Sequence, residues 1–140
     1  MEHNVDVWTI QTDSNSIRPV MSDIRNALES EPQNVEVRFN YALMLEENGR
    51  LDDAEQEYRK VTEVRPEHTD AYVRCGNLLR RKSRAKDAEI QFRKAISINP
   101  HDFGAHFSYA SMLEEQKRLD EAEEEYVSAA CSIQPNTHNR

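Results

Sequence analysis

The segment Phe39–Lys60, FNYALMLEENGRLDDAEQEYRK, returns as Phe107–Ser128, FSYASMLEEQKRLDEAEEEYVS, with most positions identical at an offset of 68. That offset is twice 34, and weaker matches fill in the copy between. Ala54, Ala88 and Ala122 follow one another at intervals of 34, and each precedes an aromatic by four places: Tyr58, Phe92 and Tyr126. Val61, Ala95 and Ala129 come three further on, and Pro32, Pro66 and Pro100 share the spacing, with Pro135 one place late. In the first half of each unit Ala42, Gly76 and Ala110 precede Leu45, Leu79 and Leu113 by three. A unit of this size cannot bury its own apolar face, so it must stack on its neighbours, and such arrays hold partners more often than they do chemistry.

Each unit reads as two amphipathic helices and a tight turn. Val37, Tyr41, Met44 and Leu45 share one helical face, and Ala54, Tyr58 and Val61 another. Small Ala42 and Ala54 let the paired helices approach, and Tyr58 fills the space beside them. Gly49 lies where the first helix must end. Asp52 with Glu55, and Asp120 with Glu123, have the spacing of capping boxes. The prolines stop each second helix, having no amide hydrogen to donate. Helices are expected near 35–48, 52–64, 69–82, 86–97, 103–116 and 120–132. Upstream, Ile24, Ala27 and Pro32 take the places of a second helix, and Pro19 suits a first helical turn, so 19–30 is expected to be an unpaired helix.

This pattern resembles the tetratricopeptide repeat, W-x2-L-G-x2-Y, then A-x3-F, then Pro, with the same period. The second half is matched in all three copies. In the first half Arg38, Tyr72 and His106 stand in the Trp place, and Tyr41, Cys75 and Tyr109 in the Leu place. The resemblance implies an all-α, right-handed superhelical solenoid of antiparallel helix pairs. It would comprise a flexible tail over 1–15, a half-repeat helix over 16–34, three repeats over 35–136 and a short tail over 137–140. It further implies that first helices line a concave groove for a protein or peptide. The partner-binding positions are then Phe39 and Asn40 in the first repeat, Arg74, Asn77, Arg80 and Arg81 in the second, and Phe107 and Ser111 in the third. Asparagine amides both donate to and accept from an extended backbone, and arginines fork to carboxylates. Phe39 and Phe107 are either apolar anchors or core. The Lys/Asn clamp of chaperone-binding members is absent, since Phe39, Leu43, Arg74, Gly104 and Ser108 fill its places.

The net charge of −8 is unevenly spread. Residues 69–102 carry eight bases and four acids, while each flanking repeat and the leading segment is net −4. The basic cluster Arg80, Arg81, Lys82, Arg84 and Lys86 is open to three readings: a solvated turn, a patch for an acidic peptide, or a nuclear-import or nucleic-acid contact. Overall acidity disfavours nucleic acid. Arg81, Lys82 and Ser83 also have the look of a basophilic kinase site, where a phosphate would cut the local charge.

Catalytic and metal-binding patterns are missing. His3, His68, His101, His106 and His138 form no i, i+4 pair or zinc signature, and three glycines make no phosphate loop. No nucleophile has a base at useful spacing, so a protein without cofactor, metal or enzymatic activity is expected. Cys75 and Cys131 are expected to be buried thiols, and a cytoplasmic or nuclear compartment follows. No apolar run approaches the roughly 20 residues of a membrane span, and no basic-then-apolar secretory signal opens the chain.

Two functional classes stand. One is an adaptor or scaffold gripping a peptide or helix, acidic in character, in the groove. The other is a self-associating assembly protein using uncapped solenoid ends, since little chain follows Pro135. Trp8, flanked by Val5, Val7 and Ile10, is either part of a loose tail or an extended anchor for this molecule or a neighbour.

Overall fold

The computed structural model describes residues 14–133, with side chains from residue 20 onward. Trp8, His3, His138, Pro135 and the 137–140 tail lie outside the described residues, as does nearly all of the expected 1–15 tail. Among the described residues there are seven helices and no strand: α1 (Ser14–Ser30), α2 (Val35–Glu47), α3 (Leu51–Val64), α4 (Thr69–Arg81), α5 (Ala85–Ile98), α6 (Phe103–Glu115) and α7 (Leu119–Ile133). They divide into two units, Met1–Arg65 holding α1–α3 and Pro66–Arg140 holding α4–α7.

In the Met1–Arg65 unit, α2 and α3 form an antiparallel pair and α1 packs on α2. Ala42, Ala54, Tyr58 and Val61 have no exposure, so the small-next-to-aromatic pattern is the core. The α1 helix begins earlier than expected, at Ser14, which puts Pro19 well inside it rather than in its first turn. The missing proline amide removes one helical hydrogen bond there. Among the described side chains of α1, Met21 and Leu28 are buried, while Ala27, expected at a packing position, is exposed. The leading helix therefore departs from the register of the later second helices.

In the Pro66–Arg140 unit, α4 pairs with α5, α6 pairs with α7, and α6 also packs on α5 and α4. Phe92, Leu78, Leu79, Ala95, Ala105 and Leu113 are fully buried. At Gly76 an added Cβ would lie 2.7 Å from Cε1 of Phe92. The Phe92 ring is enclosed and has no room to give, so the glycine is there for close approach. Cys75 is buried and Cys131 half-buried, both as thiols.

All three pairs are joined by the same turn. Amides of Gly49 and Arg50 donate to the carbonyls of Glu46 (3.0 Å) and Leu45 (2.9 Å). Ser83 and Arg84 repeat this with Arg80 and Leu79, and Lys117 and Arg118 with Glu114 and Leu113. This is a helix end closed by a left-handed residue. Because the next helix starts at once, Arg50 takes the N-cap place of α3, with no side-chain cap bond. The expected Asp52–Glu55 and Asp120–Glu123 capping boxes therefore do not form, since Asp52 and Asp120 already lie inside their helices. Glu55 is buried and instead holds Arg59 at 2.9 Å.

Candidate functional site

The first helices carry side-chain caps. Asn34 accepts from the Val37 amide at 3.1 Å, Nδ1 of His68 from Ala71 at 3.1 Å, and Asp102 from Ala105 at 2.9 Å. These caps start α2, α4 and α6 at equivalent points of the repeat.

A second set of contacts anchors the first helices at the place where a tryptophan was expected. Arg38 reaches Glu57 at 2.6 Å and the Pro32 carbonyl at 3.1 Å. His106, two repeats later, has Nδ1 at 2.7 Å from Glu125 and Nε2 at 2.7 Å from the Pro100 carbonyl. A polar bridge from the preceding proline to the second helix thus replaces indole packing. His106 is thereby held between the Pro100 carbonyl and Glu125 as a packing residue.

On α4, Arg74, Asn77 and Arg81 are spaced three and four apart and share a face. On α6, Phe107, Ser111 and Glu115 are spaced four apart and likewise share a face. The two stripes are tied together. Asn77 donates to Oγ of Ser108 at 3.2 Å, and Arg80 reaches Glu115 at 2.6 Å and the Ser108 carbonyl at 3.4 Å. Asn77, Arg80, Arg81 and Glu115 line a hollow of about 330 Å³. Arg80 and Asn77 are therefore already engaged within this unit, and they act as a fixed polar floor. Arg74 and Arg81 are exposed.

The aromatic positions behave differently in the two units. Phe39 is half-buried with its ring 5.8 Å from that of Tyr58, while Asn40 is exposed on α2. Phe107 is 47% exposed, stacks on Phe103 at 5.6 Å and meets the edge of Tyr126 at 5.7 Å. Ser111 has its hydroxyl 3.4 Å from that of Tyr126. Tyr58 and Tyr126 each donate to a glutamate of the first helix, Glu46 at 2.7 Å and Glu114 at 2.8 Å. In the middle copy Phe92 has no hydroxyl, and Arg80 stands where those glutamates would be, which leaves Arg80 to bridge α4 and α6.

What sequence reasoning missed is the bond that seats α6. Glu89 of α5 accepts from the Tyr109 hydroxyl at 2.5 Å, from Arg118 at 3.0 Å and from Arg93 at 2.9 Å. Arg118 above all, with Tyr109 and Arg93, holds the Glu89 carboxyl down at about 2 against the pull of partial burial. Burial and the neighbouring Glu89 push the Tyr109 phenol up. Glu89, Arg93 and Arg118 each have counterparts at the repeat spacing, in Glu55, Arg59 and Arg84, but spacing does not show that they meet, because Arg118 and Tyr109 belong to the following copy.

Two family models, both of the tetratricopeptide repeat, match the chain: one over residues 24–56, the other over 52–103 and 76–137. The chain belongs to the tetratricopeptide repeat family. Solved structures with this tetratricopeptide arrangement include MamA of MSR-1, at 20% identity and TM-score 0.72, covering 88% of this chain and 71% of that one. MamA of AMB-1 is 23% identical with TM-score 0.69, over 84% of this chain and 69% of that one. PilF of Pseudomonas aeruginosa is 22% identical with TM-score 0.74, and the match covers 88% of this chain but 56% of PilF. At such identities the likeness is one of fold. No curated protein matches the chain by sequence. Tetratricopeptide repeats mediate protein–protein interaction and are in general not enzymes. Among the described residues no helix is long and apolar enough to cross a membrane, and no group of three or more His, Cys, Asp or Glu is placed to hold a metal ion.

Proposed function

We propose that the chain is an adaptor that binds an extended, acidic peptide segment along the first-helix faces of the Pro66–Arg140 unit. The observation that carries this reading is the pairing of two stripes. Arg74 and Arg81 stand exposed on α4 beside the hollow floored by Asn77 and Arg80. Phe107 offers a half-exposed ring on α6. Carboxylates of the peptide meet the two guanidiniums, which fork to them, and an apolar side chain lies on Phe107. Asn40 and Phe39 are the corresponding groups of the first repeat. The net +4 of residues 69–102, set in an acidic chain, favours the same class of ligand.

The test is fluorescence anisotropy with a labelled glutamate-rich peptide carrying one phenylalanine. Arg74→Glu together with Arg81→Glu should weaken binding by about a hundredfold, as expected for two reversed charge contacts, with helicity by circular dichroism unchanged. Equal binding by the double variant would move the site elsewhere. Self-association is the competing reading. Exposed Leu119, Val127 and Ile133 on α7 favour it, and a solution mass above 16.3 kDa in sedimentation would support it.

A further inference from the structure

The repeat supplies its own template for reading the outer face of α7. On α5, the side that receives α6 is built from Ala88, Glu89, Phe92, Arg93 and Ile96. Phe92 stacks on Tyr109 at 6.0 Å, and Arg93 lies over the same ring at 5.7 Å. Glu89 takes the Tyr109 hydroxyl and Arg118, and Ile96 packs on the cluster of Tyr72, Ala95 and Ala105. One repeat further on stand Ala122, Glu123, Tyr126, Val127 and Ala130. With Leu119 and Glu114 they line a hollow of about 370 Å³. Leu119 is 58% and Val127 56% exposed. The face is more apolar than its template, with Val127 in place of Arg93 and Leu119 in place of Ala85. Glu123 holds the place of Glu89 and has no partner among the described residues.

We propose that this face docks an amphipathic helix of another protein, one that carries a tyrosine on its apolar side and basic residues around it. A helix is inferred because the equivalent face on α5 receives one. The tyrosine is set by Glu123, the counterpart of the carboxylate that takes the Tyr109 hydroxyl. The basic flank is set by charge: Asp120, Glu123 and Glu124 are exposed on α7, which carries no base, while Glu121 and Glu125 are held by Arg118 and His106. A second copy of this chain pairing through α7 would bring like charges together across a two-fold contact.

The probe is a synthetic peptide with the sequence of residues 103–118 carrying Glu114→Lys and Glu115→Lys, titrated against the full chain. Binding in the micromolar range is expected. It should weaken several-fold with Tyr109→Phe in the peptide or Glu123→Gln in the protein, and about tenfold or more with Val127→Glu in the protein. Val127 is exposed, and circular dichroism will show the variant folded. The Arg74→Glu, Arg81→Glu protein should bind this peptide as wild type does, which separates this surface from the peptide site above. No binding, or binding indifferent to Val127→Glu and to the tyrosine, overturns the proposal. A doubled sedimentation mass that Val127→Glu restores to monomer would assign the face to a second copy and overturn it equally.

Discussion

The backbone at Gly49, Ser83 and Lys117 is left-handed, with φ of 79°, 62° and 64°. Only the first of these residues is suited to it. A side chain in that region crowds its own carbonyl and costs about 1–2 kcal/mol, which glycine escapes at some cost in chain entropy. The hydrogen bonds that close the three turns are the same, so the turn geometry is imposed by the helix pair and not by the residue. Ser83→Gly and Lys117→Gly are therefore each expected to stabilise the chain by about 0.5–1 kcal/mol, and Gly49→Ala to destabilise it by about 1 kcal/mol. Thermal unfolding monitored by circular dichroism checks all three, and a loss of stability in Ser83→Gly would show that the serine side chain outweighs the backbone term. The same comparison explains what the sequence revealed. Ala54, Tyr58 and their counterparts were legible because packing demands the same size at every copy. The caps Asn34, His68 and Asp102 were not, because three chemically different acceptors meet one requirement. An identity at the repeat spacing is visible; a shared role is not.

At the scale of the element, α6 is seated on α5 by a carboxylate as well as by apolar packing. Glu89 is 16% exposed and shared by Tyr109, Arg118 and Arg93. Its carboxyl is held at about 2 in the folded chain against an ordinary 4.5, so on acidification the unfolded chain binds the proton first. The stabilisation is complete above about 4.5 and is lost as pH falls from there towards about 2. Urea unfolding is expected to show a fall in stability across that window, and Glu89→Gln should flatten it while costing about 1–3 kcal/mol at neutral pH. An unchanged acid limb in the variant would place the titration on other carboxylates. Helix boundaries were legible to within a residue or two for α2 to α7, since periodic packing and prolines mark them. The start of α1 was not, because Pro19 is acceptable both at a helix start and, with one bond lost, inside a helix. Likewise the resemblance to the repeat family implied groove positions for Asn77 and Arg80, but their bonds to Ser108 and Glu115 depend on how two helices meet.

For the whole molecule, the decisive quantity is the sorting of charge along the chain. A net −8 should repel an acidic ligand, yet residues 69–102 are net +4. Which of the two governs depends on range. At about 0.15 M salt the screening length is roughly 8 Å, so a bound carboxylate senses Arg74, Arg81 and the Arg80–Glu115 pair beside them more than charges further off. Further salt then removes the local attraction as well. Affinity for the glutamate-rich peptide should accordingly fall several-fold between about 0.15 and 0.5 M sodium chloride. Docking of the basic peptide on α7 should weaken over the same range, since both contacts join opposite charges, but only the first should vanish in the arginine double variant. Replacing the peptide's glutamates by glutamines removes the charge while keeping its shape, and should lower affinity at about 0.15 M to the level that the charged peptide shows in high salt. If the glutamine peptide binds as well as the original at every salt concentration, attraction to Arg74 and Arg81 is not what recruits the ligand, and the apolar ring of Phe107 must carry recognition alone.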